Sequence, residues 1–190
     1  MNYCIFEIAW GSFGFVARND RLIATWLPQA GDRLRRRIER SYPNAVEDAG
    51  ALPEFQRQVV SYFEGEVADF TVRLDTGDMP LFRRAVLAVC EAIPYGETVA
   101  YADLAKAVGN PAAARAAGGA MASNPLPLVI PCHRVLRSDG SLGGFSSTGG
   151  LTLKDRMLQL EKAGVRRSAG TSVQRNRRKG RSQSVVAIPC

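Results

Sequence analysis

The sequence predicts an α+β protein whose first part is a small antiparallel sheet with helices and whose second part is mainly helical. Two patterns carry that reading. Three short alternating runs occupy the first 27 residues, and from Met79 onward one short helical pattern follows another. The chain of 190 residues is 46% hydrophobic, enough for a substantial core in one large or two small domains.

Tyr3 to Trp10, Gly11 to Arg18 and Leu22 to Leu27 read as the three strands, with Asn19-Asp20 as the turn between the second and third. Arg33 to Tyr42 and Pro53 to Glu64 read as amphipathic helices. The second carries Phe55, Val59, Tyr62 and Phe63 at helical spacing, a pattern that belongs to a core. Phe70 to Leu74 alternates and is expected to rejoin the sheet. Thr76-Gly77-Asp78 breaks the pattern and sets the expected boundary: residues 1–77 form one domain, 78–164 a second and 165–190 a basic disordered tail.

In the second part, Pro80 to Ile93 is an amphipathic helix closed by Pro94-Tyr95-Gly96. A helix from Thr98 or Ala100 to about Val108 and another from Ala112 to Ala122 flank the turn Gly109-Asn110-Pro111, which is a helix-turn-helix pattern. The later helix is almost entirely alanine and glycine, a surface that either packs tightly inside the domain or lets DNA approach closely. Arg115 favours DNA, since one arginine on such a helix could insert between base pairs or hold a phosphate.

Leu126 to Ile130 is expected to be a buried extended segment that delivers Cys132 to a turn, beside the only histidine, His133. An imidazole titrates near neutral pH and can take a thiol proton, here through water because sequence neighbours rarely face each other, to leave the nucleophilic thiolate. Cys4 and Cys90 are expected to be core residues. Ser138 to Ser141 is a turn, and the glycine-rich loop after it lacks the Gly-Lys-Ser/Thr ending of a phosphate-binding loop. Its glycines and serines form a thin wall suited to a flat ligand. Thr152 to Lys162 is a helix bearing Glu161, either a solvated charge or a carboxylate that orients the imidazole.

Charge and cysteine usage narrow the class. The net charge of +7 equals that of the stretch from Val165 to Cys190, which has seven basic residues and no acidic one, so residues 1–164 are neutral overall. Four irregularly spaced cysteines and the absence of a long apolar run predict a reduced, cytoplasmic setting without a membrane span, a disulfide framework or a zinc site.

Taken together, Tyr101, the run Asn110 to Met121, Asn124-Pro125-Leu126-Pro127 and Ile130-Pro131-Cys132-His133-Arg134-Val135 closely resemble the O6-alkylguanine-DNA alkyltransferases, over about Pro80 to Gly164. The resemblance implies a ribonuclease-H-like α/β N-terminal domain and a winged-helix-like C-terminal domain, monomeric and without a cofactor. Its implied partner is double-stranded DNA containing alkylated guanine. It implies that Cys132 is the alkyl acceptor, His133 its water-mediated base, Glu161 the orienter and Asn124 a shaper of the active-site turn. Arg115 would fill the gap left by an extruded base, and Tyr101 would help rotate the nucleotide and protonate the departing guanine. Ala114, Ala116 and Gly118 would lie along the DNA, and Pro127, Leu142, Gly143, Phe145 and Ser146 would line the base pocket. Ser147-Thr148 is an insertion relative to the family pattern, and the tail lies outside it, as either an aid to nonspecific DNA affinity or a passive extension. A lesion sensor of the same fold would lack the cysteine, and a thiol hydrolase would turn over repeatedly.

Overall fold

A computed structural model describes the backbone of residues 1–77 and 79–180 and the side chains as far as residue 169. Strands β1 (Asn2–Ile8), β2 (Gly11–Arg18) and β3 (Arg21–Gln29) form the expected meander. Asn19 and Asp20 both have positive φ, 50° and 57°, the paired left-handed conformation whose twist matches a two-residue hairpin. The sheet is not purely antiparallel. Two-residue edge strands, β4 (Val46–Glu47) and β5 (Arg73–Leu74), pair parallel to β1 and β3 and give the order β4-β1-β2-β3-β5. The expected strand from Phe70 shrinks to Arg73–Leu74 because the Phe70 ring packs against Phe55 and Tyr62 instead of following the sheet.

Alternation along β2 sends Phe13, Phe15 and Ala17 to one face and Val16 to the other. Helix α1 (Gly31–Ser41) buries Leu34 and Ile38 against Tyr3, Val16, Ala24 and Trp26. Helix α2 (Pro53–Phe63) covers the opposite face with Phe55, Val59, Tyr62 and Phe63.

The second half contains α3 (Leu81–Glu91), β6 (Val99–Ala100), α4 (Tyr101–Ala107), a 3-10 turn Pro111–Ala113 and α5 (Ala114–Ala122). A second 3-10 turn, Cys132–Arg134, leads into β7 (Val135–Leu136), which pairs parallel to β6. The pairing of β6 with β7 is invisible at the level of periodicity because each strand has only two residues. Leu126 to Ile130 is buried as expected but is not extended. Leu128 sits at φ 87°, and the segment folds on itself with Ile130 N donating to Leu126 O at 2.9 Å.

Helix α6 spans Gly150–Gly180, so residues 165–180 continue a helix where a disordered tail was expected. No proline falls between Lys162 and Gly180, and the arginines and glutamine there have good helix propensity. Residues 181–190, including Cys190, lie outside the described residues.

A single apolar cluster joins the two halves, running from Phe13, Phe15 and Phe55 through Val86, Cys90, Leu128 and Cys132 to Met157. Polar contacts reinforce it: Thr25 N donates to Pro125 O at 2.9 Å and Thr25 Oγ1 to Pro127 O at 2.7 Å. The Arg156 guanidinium lies 3.7 Å from the centre of the Trp10 ring. The turn that presents the candidate nucleophile is therefore docked directly on the sheet.

Candidate active site

Cys132 opens the 3-10 turn that follows Pro131 and is buried, 7% exposed. Burial raises its thiol pKa. The Asn124 amide, the Lys154 ammonium and the backbone N–H groups of Cys132 and His133 oppose that rise by favouring the thiolate. Asn124 is itself held by two bonds, since its Nδ2 donates to Ile130 O at 2.8 Å while its Oδ1 accepts from Leu126 N at 2.9 Å. One amide thus staples both ends of the loop preceding the cysteine.

His133 is fully buried, and its Nε2 lies 2.7 Å from Glu161 Oε1. A carboxylate only accepts, so Nε2 carries the hydrogen and Nδ1 is left with its lone pair. Among the described residues, Nδ1 has no hydrogen-bond partner, and it is the ring nitrogen free to accept a proton. Burial lowers the histidine pKa against the opposing pull of Glu161, so the ring rests neutral. A protonated thiol beside a neutral base is the resting state that these directions define.

Glu161, from α6, is not the solvated charge that a glutamate near a helix end could have been. It is fully buried and accepts from Tyr62 Oη at 2.8 Å, Arg134 Nε at 3.0 Å, Arg134 Nη2 at 3.0 Å and Gly96 N at 2.9 Å, besides His133. Burial pushes its carboxyl up, but the bonds from His133 and Arg134 outweigh that and hold its pKa at about 2. Gly96 reaches it because the Pro94-Tyr95-Gly96 turn has φ 81° at the glycine.

Three members of this cluster escape a reading from sequence. Tyr62 comes from α2 in the first half and looks like one more core aromatic. Arg134 pairs with Glu161 while Nη1 donates to Ile93 O at 2.7 Å. Lys154 is fully buried with Nζ donating to Val135 O at 2.6 Å, and it lies 5.9 Å from the ring centres of Tyr101 and Phe145. Burial lowers its pKa, and as an ammonium its charge favours the Cys132 thiolate. A buried lysine at helical spacing among apolar residues was the one available signal.

A cavity of about 280 Å³ opens onto Cys132 and is lined by Asn124, Pro127, Phe145, Ser146 and Ser147, with Thr25, Trp26, Arg37 and Tyr42 from the first half. A neighbouring cavity of about 490 Å³ is lined by Tyr101, Ala114, Arg115, Gly118, Arg137 and Gly143. Phe145 and Ser146 line both, so the glycine-rich loop is the partition between them. Leu142 lines neither: the wall starts at Gly143, and Leu142 is half-buried ahead of it. A Cβ on Gly143 would stand 2.5 Å from the Tyr101 ring, so glycine is needed for that close approach. Tyr101 Oη donates to Gly144 O at 3.4 Å, and burial raises its pKa.

On α5, Ala117, Ala120 and Met121 face the core, while Arg115, Ala116, Gly119 and Ala122 are exposed. The small-residue helix therefore both packs tightly and offers a low surface. Ala116 is on that surface but outside the cavity that Ala114 and Gly118 help to line. A further hollow of about 900 Å³ lies around Asn19, Asp48, Leu52 and Arg73, away from the thiol. No group of three or more His, Cys, Asp or Glu among the described residues is placed to hold a metal, and no described helix is long and apolar enough to cross a membrane.

A buried cysteine followed by an imidazole that is paired with a carboxylate, set beside a helix-turn-helix with an open small-residue face, is the arrangement of a candidate thiol site adjoining a nucleic-acid-binding type of module. Residues 81–163 match the family described as 6-O-methylguanine DNA methyltransferase, DNA binding domain. The chain is 41% identical over 116 residues to a methylated-DNA–protein-cysteine methyltransferase of Methanosarcina acetivorans, covering 61% of this chain and 72% of that one. Its fold is similar to Mycobacterium tuberculosis OGT in complex with DNA, with a TM-score of 0.75 and 31% identity, covering 86% of this chain and 94% of that one. It is also similar to Mycobacterium tuberculosis O6-methylguanine methyltransferase, with a TM-score of 0.71 and 32% identity over 85% of this chain and 93% of that one. The chain belongs to the methylated-DNA–protein-cysteine methyltransferase family.

Proposed function

We propose that this chain repairs DNA by direct reversal, moving an alkyl group from O6 of guanine in duplex DNA onto Sγ of Cys132. The observation that carries this reading is the Cys132 thiol at the end of a small cavity, with the His133–Glu161 pair behind it and the exposed face of α5 beside it. The Cys132 proton passes through water to His133 Nδ1, and Glu161 stabilises the resulting imidazolium. The thiolate attacks the alkyl carbon in line, the S–C bond forms as the C–O bond breaks, and the electron pair leaves on the guanine. The Tyr101 phenol, kept protonated by burial, donates to the departing base.

An alkyl group on O6 lies within the base stack, so the nucleotide must rotate out before the thiol can reach it, and a poorly paired base costs less to extrude. Arg115 fills the space it leaves, while Ala114, Ala116 and Gly118 let the backbone of α5 approach the minor groove. Pro127, Gly143, Phe145 and Ser146 hold the flat base. O4-methylthymine presents similar geometry and is the second substrate. The thioether is stable and no neighbouring group regenerates Cys132, so each chain acts once, as a monomer.

Intact-mass measurement after incubation with a duplex carrying O6-methylguanine tests the reading. The expected result is a gain of one methyl per chain, absent in Cys132→Ala. An unchanged mass for the native chain, or a gain that persists without Cys132, overturns it.

A further inference from the structure

Helix α1 carries five arginines, and four of them share one face. At about 100° per residue, Arg33, Arg36, Arg37 and Arg40 fall within a sector about 100° wide, whereas Asp32, Arg35 and Glu39 lie on another flank and Leu34 and Ile38 point into the core. Arg35 is committed elsewhere, to Glu47 at 2.6 Å and to Tyr3 Oη at 2.8 Å. Arg33, Arg36 and Arg40 are exposed, and no ion pair holds them among the described residues. In a stretch that is neutral overall from residue 1 to 164, this is a local concentration of unpaired positive charge.

The position of the stripe gives it a partner. Arg37, Ser41 and Tyr42 line the cavity that contains Cys132, and Arg37 Nη1 is 3.4 Å from Thr148 Oγ1, which also lies 3.2 Å from Gln29 Oε1. The helix is thus tied to the glycine-rich loop at the Ser147-Thr148 insertion. Arg115 and Arg137 stand across that loop, on the neighbouring cavity. A duplex that feeds a base into the cavity from the α5 side would meet arginines on both sides of the opening.

We propose that the arginine face of α1 is a second DNA-contacting surface, supplied by the N-terminal half, which holds backbone phosphates flanking the extruded nucleotide. The inference rests on the repair function proposed above. With a rise of about 1.5 Å per residue, Arg33 to Arg40 spans about 10 Å of helix. A DNA strand places one phosphate about every 3.4 Å along its axis, so the stripe can engage two or three phosphates of one strand. Guanidinium groups suit this role because they bind phosphate oxygens in pairs and remain charged. These contacts carry no sequence information. They supply affinity and register while α5 and Arg115 act at the lesion.

The test is fluorescence anisotropy on a labelled duplex with and without one O6-methylguanine, across a salt series, for the native chain and for the triple variant Arg33→Gln/Arg36→Gln/Arg40→Gln. Arg37 is left intact because it lines the cavity. The triple variant should bind on the order of tenfold more weakly at low salt, and its plot of log affinity against log salt should be shallower by about 0.9 for each phosphate that is no longer neutralised. Methyl transfer from the free base O6-methylguanine should be unchanged, and the matching triple arginine-to-lysine variant should keep most of the salt slope. Single replacements, each removing part of the slope, carry the test if the triple variant does not fold. A native chain that binds the duplex alongside a glutamine variant with an unchanged slope overturns this surface while leaving the repair function standing. A native chain that binds no duplex overturns both.

Discussion

Glu161 Oε1 lies 2.7 Å from His133 Nε2, both side chains being fully buried, and that single contact fixes which nitrogen of the imidazole can act. Because Nε2 must donate to the carboxylate, Nδ1 is the basic atom. Arg134 and Tyr62 then hold the carboxylate in place, so the tautomer is set by groups that never touch the thiol.

Glu161→Gln should slow methyl transfer by about 100-fold to 10,000-fold in single-turnover kinetics, since the base loses both its orientation and the charge that stabilises its protonated form. It should also destabilise the fold by about 3–5 kcal/mol in urea unfolding, because the Arg134 guanidinium would be left buried without its counter-charge. Tyr62→Phe removes one neutral donor and leaves the pair intact. A loss of about 1–3 kcal/mol with less than tenfold slowing is expected. Equal rate losses for the two variants would contradict the division of labour between orienting charge and supporting hydrogen bond.

The pH dependence of stability follows from two depressed pKa values. Unfolded Glu161 titrates at about 4.3 and the folded carboxyl at about 2, so its contribution is present above the higher value and is lost as pH falls through the lower one. The folded imidazole is also depressed, by burial, below the unfolded value of about 6.5. Below that pH the unfolded chain binds the extra proton and stability declines. Urea unfolding should therefore show a first loss on going from pH 7.5 to pH 5.5, absent in His133→Gln, and a second on approach to pH 2. In the transfer rate, the acid limb should have its midpoint below about 6.5, and a midpoint above it would mean that the resting imidazole is not held neutral.

Gly143→Ala would place a methyl group 2.5 Å from the Tyr101 ring. The ring can swing outward, so the stability cost should stay within about 1–3 kcal/mol, but the phenol would be displaced from the wall of the cavity it lines with Arg115 and Gly118. Transfer from the duplex should slow, while the same change made in a Tyr101→Ala background should cost little further in either rate or stability. Strict additivity of the two changes would show that Gly143 acts independently of Tyr101.

The local pattern of residues determined a great deal. The Asn19-Asp20 hairpin, the aromatic face of α2, the helix-turn-helix spacing and the adjacency of Cys132 to the only histidine all depend on periods of two to four residues or on immediate neighbours. Such features survive in one dimension because backbone geometry enforces them locally. Tertiary structure decided the rest. Whether Glu161 was a surface charge or a buried acceptor depended on donors from separate segments: Tyr62 on α2, the Gly96 turn, and His133 and Arg134 after the apolar loop. The same holds for Lys154, whose burial follows from the carbonyl of Val135 and two aromatic rings that meet it in space. The segment from Leu126 to Ile130 was legible as buried but not as a turn, because its shape comes from the Asn124 staple and from Thr25 on β3. Hydrophobic pattern records which residues leave water, whereas the pairing of buried polar groups is set by where distant segments are brought together.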